Sequence, residues 1–272
     1  YVNFIANTST LLPRQIANAH TIFNILVSLI LLPFVKQISN LVKQLVKGKE
    51  KRDKEEVTQY IDERFYHSPS MAVSMAKAEV LRMGWFTHGM LLEAEKCFLE
   101  GKKKHAAIVL EKEPEIDEIA HQVDNFMEEI PAEKLNQEDR ATLDRLKHLV
   151  TDIERVGDHA VNLAEFALQM DKRDIKFTKY AHHELAKMFD KVAAIYSDAL
   201  NAFDKFDQVL MDRVVQAEDD VDAMEKKFKK NHIHRLKKNL CQPEADPIYV
   251  ETLRNLERIS DHSYNIALSI RY

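Results

Sequence analysis

Turn-forming residues are scarce in this chain. Five glycines and seven prolines in 272 residues lie well below ordinary usage. That leaves room for few turns and argues for long helices. Aromatic residues make up only 8% while charged residues reach 31%, again the balance of a helical bundle. Cysteine is nearly absent. Cys97 and Cys241 stand far apart, form no CxxC pair and point to a reducing compartment. The net charge of −5 gives no signal for a polyanion partner, so nucleic acid is not expected. No glycine-rich phosphate loop, GxSxG, HExxH or CxxC occurs, and no nucleophile sits beside a base. The chain is not expected to be an enzyme.

One segment differs from the rest. Residues 16–35 carry one histidine, two asparagines and no full charge, and Ile22 to Val35 is almost wholly apolar. About 20 such residues suffice to cross a bilayer. Lys36, Lys43, Lys47, Lys49, Lys51, Arg52 and Lys54 follow, opposed by Glu50 and Asp53. A basic flank of this kind marks the cytoplasmic side. Val35, Ile38, Leu41, Val42, Leu45 and Val46 recur at helical spacing among the lysines, which fits contact with a membrane surface over 36–54. The expectation is a transmembrane helix over about 16–35, a cell-membrane location, and residues after about 36 on the cytoplasmic side. The chain opens on Tyr1 rather than a methionine, so a preceding stretch of protein is also expected.

Residues 48–69 read as a polar linker. Pro69 then opens a helical region, with helices expected at about 70–100, 103–129, 137–170, 178–205, 208–239 and 247–271. Gly101 is a natural stop for the first, Pro131 ends the second, and Thr178 is the N-cap of the fourth. The fold class is therefore all-α, two similar three-helix bundles preceded by one transmembrane helix. Repeat one covers 70–172 and repeat two 175–272.

The repeat is visible residue by residue. Glu79, Met83, Ala94 and Phe98 match Glu184, Met188, Ala199 and Phe203 at a shift of 105. The stretch from Asp152 to Ala164 matches that from Asn255 to Ala267 at a shift of 103. Four carboxylate pairs ride on this repeat. Glu113/Asp117 recurs as Glu218/Asp222, and Glu154/Asp158 recurs as Glu257/Asp261. At i, i+4 spacing both carboxylates point the same way from a helix, and like charges there cost roughly 0.2–0.5 kcal/mol per pair. Four such pairs in register point to cations that offset the repulsion. Two helices side by side would bring four carboxylates together in each half, enough oxygen for a multinuclear cluster. Iron, manganese, zinc or magnesium are the ions expected.

Competing readings come from the neighbours. Arg155 and Arg258 offer neutralisation without metal. Asp152 and Asn255 are further oxygen donors, with solvation as their simpler role. His159 and His262 point about a third of a turn away and read as surface imidazoles. Asn162 and Asn265 orient the ligands or bond a neighbouring helix. Pro114 moves Glu113 toward a helix start, where it would cap instead of ligating. Glu118 and His121 form half of an ExxH site with no second copy.

The stretch from Glu154 through Asp158, Asn162 and Glu165, with its copy from Glu257 through Asp261 and Asn265, resembles the signature of the phosphate-uptake regulator (PhoU) family over about residues 70–272. The resemblance implies two three-helix bundles and metal clusters held by Glu113, Asp117, Glu154, Asp158, Glu218, Asp222, Glu257 and Asp261. Arg14 to Asn24 and the apolar run after it look like the last membrane segment of bacterial sodium/phosphate cotransporters. Residues 1–47 would then end a transporter's membrane domain. The expected function is a regulatory, metal-binding cytoplasmic domain of a sodium-dependent phosphate transporter, with that membrane domain as its partner in cis. A homodimer and phosphate-signalling proteins are further expected partners. The alternatives are a signalling adaptor acting through protein contacts and a metal-free structural or dimerisation bundle.

Overall fold

The computed structural model describes residues 12–34 and 57–271, all helix and connecting turns, with no strand among them. Two units result, divided between Glu55 and Glu56.

In the first unit, α1 spans Leu12–Leu31 and runs into a 3₁₀ turn at Leu32–Phe34. Its first half carries Arg14, Gln15, Asn18 and His20, and Asn24 interrupts the second. The apolar part from Ile22 to Leu31 reaches roughly 15 Å at helical rise, about half of a bilayer's hydrocarbon core. Among the described residues no helix is long and apolar enough to cross a membrane. This corrects the expectation of a spanning helix over about 16–35 and, with it, the cell-membrane location with cytoplasmic residues after about 36. The run owes its apolar character to too short a stretch, and polar side chains dilute the rest of the helix. The basic segment 36–54 and the start of the 48–69 linker lie outside the described residues.

The second unit holds six long helices. They are α2 (Pro69–Glu100), α3 (Lys103–Glu128), α4 (Gln137–Lys172), α5 (Lys179–Lys205), α6 (Gln208–Lys237) and α7 (Ala245–Leu268). A short lead-in from Val57 to Ser68 precedes them, with a 3₁₀ turn at Glu63–His67. Its N-cap is Asp62, whose side chain accepts from the Arg64 amide. The helix boundaries follow local chemistry. Pro69 occupies the first turn of α2, where its missing N–H costs nothing. Gly101 ends α2 at φ 68°, a left-handed conformation that glycine adopts without a Cβ penalty. The side chains of Asn136, Thr178 and Asp207 cap α4, α5 and α6 by accepting from backbone amides. Pro114 does not break α3, which runs through it to Glu128. The tertiary packing of Ile116, Ile119 and Val123 outweighs the local cost of a proline.

Each repeat packs its three helices pairwise, α2 with α3 and α4, and α5 with α6 and α7. The repeats meet along two seams, α4 against α7 and α2 against α5. At the α2–α5 seam, Lys77 Nζ donates to Asp204 O, His88 Nε2 meets Ala193 O, and His182 Nε2 meets Leu99 O. The rising and falling numbers make the two helices antiparallel. Met83, Met90, Leu91, Phe189, Tyr196 and Phe203 fill the interior at this seam. Tyr196 is buried with its hydroxyl 2.5 Å from Thr87 Oγ1. Burial pushes its phenol well above the usual range.

Candidate functional site

The eight carboxylates fall on the two helix pairs anticipated for them. Glu113 and Asp117 lie on α3, which packs against α4 with Glu154 and Asp158; Glu218 and Asp222 lie on α6, which packs against α7 with Glu257 and Asp261. Apolar neighbours such as Ile116, Ile153, Val221 and Ile259 are buried, so each pair stands at the edge of a core stripe. Because α3 is continuous through Pro114, Glu113 sits in mid-helix and does not cap.

Members of the pairs on neighbouring helices lie close enough to repel one another. Burial, then the charge of Asp158, raises the Asp117 carboxyl. Glu154 is raised by burial and by Asp158 and Asp117, against the opposing charge of Arg155. In the second repeat, Glu218 is raised by burial, Asp222 and Asp261, among others. Burial and then Asp261 raise Glu257, and burial raises Asp261 against the pull of Arg258. Carboxylates of neighbouring helices thus feel one another in both halves.

Basic side chains already hold the outer members. Arg155 Nη1 lies 3.2 Å from Asp158 and Arg258 Nη1 3.3 Å from Asp261. Lys226 Nζ lies 2.8 Å from Asp222. All three bases are largely exposed, and exposed pairs of this kind contribute about 0–1 kcal/mol. A multivalent cation would displace them at little cost. The donor set is entirely carboxylate oxygen, which suits hard cations. As placed, however, no group of three or more His, Cys, Asp or Glu among the described residues is arranged to hold a metal ion. The chemistry fits and the geometry is not preassembled: side chains would have to swing inward.

Beside the pairs, Asn162 and Asn265 bond a neighbouring helix, as expected of them, while the histidines, Asp152 and Asn255 do something not anticipated. His159 Nδ1 is 2.8 Å from Asn255 Oδ1, and His262 Nδ1 is 2.8 Å from Asp152 Oδ1. Asn162 Nδ2 donates to the same Asn255 oxygen at 3.1 Å, and Asn265 Nδ2 to the same Asp152 oxygen at 3.3 Å. The two imidazoles lie 5.7 Å apart between centroids. These six residues exchange under the shift of 103, so α4 grips α7 as α7 grips α4. The histidines are therefore not free surface imidazoles, and Asp152 and Asn255 are hydrogen-bond acceptors across the seam. Burial lowers the His159 imidazole below its usual range. A signal was present in the sequence, since His159 and Asn162 recur as His262 and Asn265 and Asp152 is replaced by Asn255 at one shift, but which helix they would face was not.

Glu79 and Glu184, matched at a shift of 105, are a second pair of polar anchors. Glu79 is fully buried. Its Oε2 accepts from the backbone amides of Gln59 at 2.9 Å and Tyr60 at 2.7 Å, and its Oε1 accepts from Arg82 Nε at 2.7 Å. Glu184 accepts from Asn231 Nδ2 at 2.7 Å, Arg235 Nη2 at 2.8 Å and the Tyr249 hydroxyl at 2.6 Å. Burial pushes the Glu184 carboxyl up, but these three donors outweigh it and hold it below the usual range.

Known proteins with this arrangement share the architecture. The structure is similar to crystal structures of PhoU from Pseudomonas aeruginosa, with a TM-score of 0.69 and 24% identity over 74% of this chain and 96% of that one. It is also similar to the phosphate transport system regulatory protein PhoU from Streptococcus pneumoniae, with a TM-score of 0.68 and 18% identity. In sequence, the phosphate-specific transport system accessory protein PhoU homolog 1 of Thermotoga maritima is 28% identical over 206 residues, covering 74% of this chain and 86% of that protein. The provisionally named inorganic phosphate export protein YjbB of Escherichia coli is 18% identical over 253 residues. That match takes in 92% of this chain but only 46% of YjbB. The family model for the PhoU domain matches residues 80–167 and again 185–270, one match per three-helix repeat, and the chain belongs to the PhoU domain family.

Proposed function

We propose that this chain is a regulatory part of a phosphate transport system whose state is set by cations bound at the two carboxylate sites. The observation that carries the reading is the facing of carboxylates across α3–α4 and again across α6–α7, where burial and neighbouring negative charge raise Asp117 and Glu154 in one half and Glu218, Glu257 and Asp261 in the other. Charges kept in such company weaken the unliganded bundle and strengthen whatever neutralises them. Iron, manganese, zinc or magnesium would be held by Glu113, Asp117, Glu154 and Asp158 in one half and by Glu218, Asp222, Glu257 and Asp261 in the other. The cation would supply charge neutralisation and a bridge between helices. The chain's own residues position the carboxylates, and Arg155, Arg258 and Lys226 hold the sites closed until a cation arrives.

The transporter context is the finer part of the proposal. The similarity over 92% of this chain to YjbB, named for inorganic phosphate export, supports a role as part of a longer phosphate transport protein, which we read as a sodium/phosphate cotransporter, working in cis on the part that carries the substrate. The exposed apolar side chains of α1, among them Ile25, Leu29 and Ile30, are the surface such a part would cover. The accessory-protein name of the Thermotoga relative supports a second reading, in which the chain acts as an adaptor through protein contacts. Bound cations are expected of the first reading and are not required by the second.

Elemental analysis of the full purified chain, with the double variant Asp158→Ala and Asp261→Ala beside it, decides this. Bound metal that falls by half or more in the variant supports the reading. Equal metal content in both proteins, or none in either after loading with iron, manganese, zinc or magnesium, overturns it and leaves the adaptor.

A further inference from the structure

The outward face of α2 carries a feature that the carboxylate sites do not use. A cleft of about 570 Å³ opens there between the Val57–Ser68 lead-in, α2, α3 and the end of α5, lined by Tyr60, Arg82, Trp85, Phe86, Gly89 and Lys112 among others. This is within the usual size of a small-molecule site, roughly 300–1,000 Å³. Tyr60 and Trp85 remain 44% and 42% exposed, so two aromatic rings of one concave surface are left without a covering. Exposed aromatics gathered in a concavity are unusual on a folded surface and mark places where something binds. The cations differ in how they are committed. Arg82 is bound to the Glu79 carboxylate and donates to Val57 O at 2.7 Å. Lys112 Nζ lies 4.4 Å from the centre of the Phe86 ring, and among the described residues it has no ion-pair partner. At Gly89 an added Cβ would meet nothing within 4 Å, so the floor of the cleft is open space.

We propose that this cleft binds a small planar aromatic anion of the purine nucleotide class. The aromatic rings give a flat ring a stacking surface, as exposed aromatic side chains do for bases in other proteins. Lys112 is the uncommitted cation beside that surface and takes the phosphate. A purely apolar occupant would leave Lys112 desolvated beside it, and a bare inorganic anion would leave the rings exposed. A ligand with both parts meets the rings and Lys112 together, while Asp204, the acidic residue of the lining, already has Lys77 Nζ 4.0 Å from its carboxylate. The site shares no residue with the cation sites and does not rest on that reading.

Trp85 is the single tryptophan of the chain, so its fluorescence reports on this cleft alone. The test titrates the full-length chain with AMP, with adenosine and with inorganic phosphate. The expected result is a saturable change with AMP, and affinities roughly tenfold or more weaker for adenosine and for phosphate, since each supplies one of the two contacts. Lys112→Ala should weaken AMP by a similar factor, and Gly89→Leu, which fills the floor, should remove the saturable change. Leucine is a better helix former than glycine and its Cβ meets no neighbour there, and an unchanged helical circular dichroism and melting temperature would separate loss of binding in that variant from loss of fold. The proposal is overturned by the absence of a saturable response to AMP. It is equally overturned by a response that survives Gly89→Leu, or by adenosine or phosphate alone binding as well as AMP.

Discussion

The two repeats place a glutamate at the same point of their first helix and use it differently. In repeat two, Glu184 gathers Asn231, Arg235 and Tyr249 from α6 and α7, so that bundle closes on its own side chains. In repeat one, Glu79 takes two backbone amides of the lead-in at Gln59 and Tyr60, together with Arg82 of its own helix. The same buried carboxylate locks one repeat internally and ties the other to the chain that precedes it. A repeat conserves the position of a demand for hydrogen-bond donors, while the surrounding chain decides where the donors come from.

The largest effect that could break this comparison is on Glu79 itself. Glu79→Ala leaves Arg82 and two amides without their acceptor, and breaking a buried pair in this way costs about 3–5 kcal/mol. Chemical denaturation should show a loss of that order for Glu79→Ala and a comparable one for Glu184→Ala. Hydrogen exchange should separate them, with Val57–His67 losing protection only in the first variant. Loss of protection at that segment in both variants would mean that the two anchors are not distinct.

A smaller effect concerns the α2–α5 seam, where Glu95 faces Asp190. Burial and then the Asp190 charge push the Glu95 carboxyl up to about 7. A raised carboxyl contributes stability that is complete below the ordinary glutamate range and is lost as pH rises through about 7. Glu95→Gln should therefore be more stable than the parent at pH 8, by on the order of 1–2 kcal/mol, with a smaller gap at pH 5. Thermal melts at the two pH values measure this, and a gap that does not change with pH would remove Glu95 from the seam's titration.

The smallest effect sharpens the comparison at one residue. Gly157 of repeat one corresponds to Ser260 of repeat two at the shift of 103. The Ser260 hydroxyl is buried and without a hydrogen-bond partner among the described residues, whereas a Cβ at Gly157 would make ordinary contact with Thr87 at 3.5 Å. Ser260→Ala should stabilise the chain by about 1 kcal/mol, the relief of an unsatisfied buried hydroxyl. Gly157→Ala should gain about 0.5–1 kcal/mol from helix propensity. Urea midpoints that fall in either variant would show that the two positions are packed more tightly than they stand here.

Much of this was legible before any coordinates. Helices expected at about 103–129 and 178–205 stand at Lys103–Glu128 and Lys179–Lys205, because glycine, proline and capping residues act locally. The facing of α3 with α4 and of α6 with α7 also followed from repeat and spacing. The apolar run after Ile22 misled, because composition over a window does not reveal where a helix ends or how far its apolar part reaches. The imidazole contacts were out of reach for another reason. Spacing places His159 and His262 on a helix side, but their acceptors come from the other repeat, more than 90 residues away.

The amino-acid order by itself determined the helices, their ends, the doubling of the unit and the pairing of like charges one turn apart, since each of these depends on neighbours within a few residues. Which helix each polar side chain meets was decided only when the two repeats packed together. That packing turned Asp152, Asn255, Glu79 and Glu184 into anchors and left the rings at Tyr60 and Trp85 uncovered, because contacts between distant segments depend on the global arrangement that buries the most apolar surface.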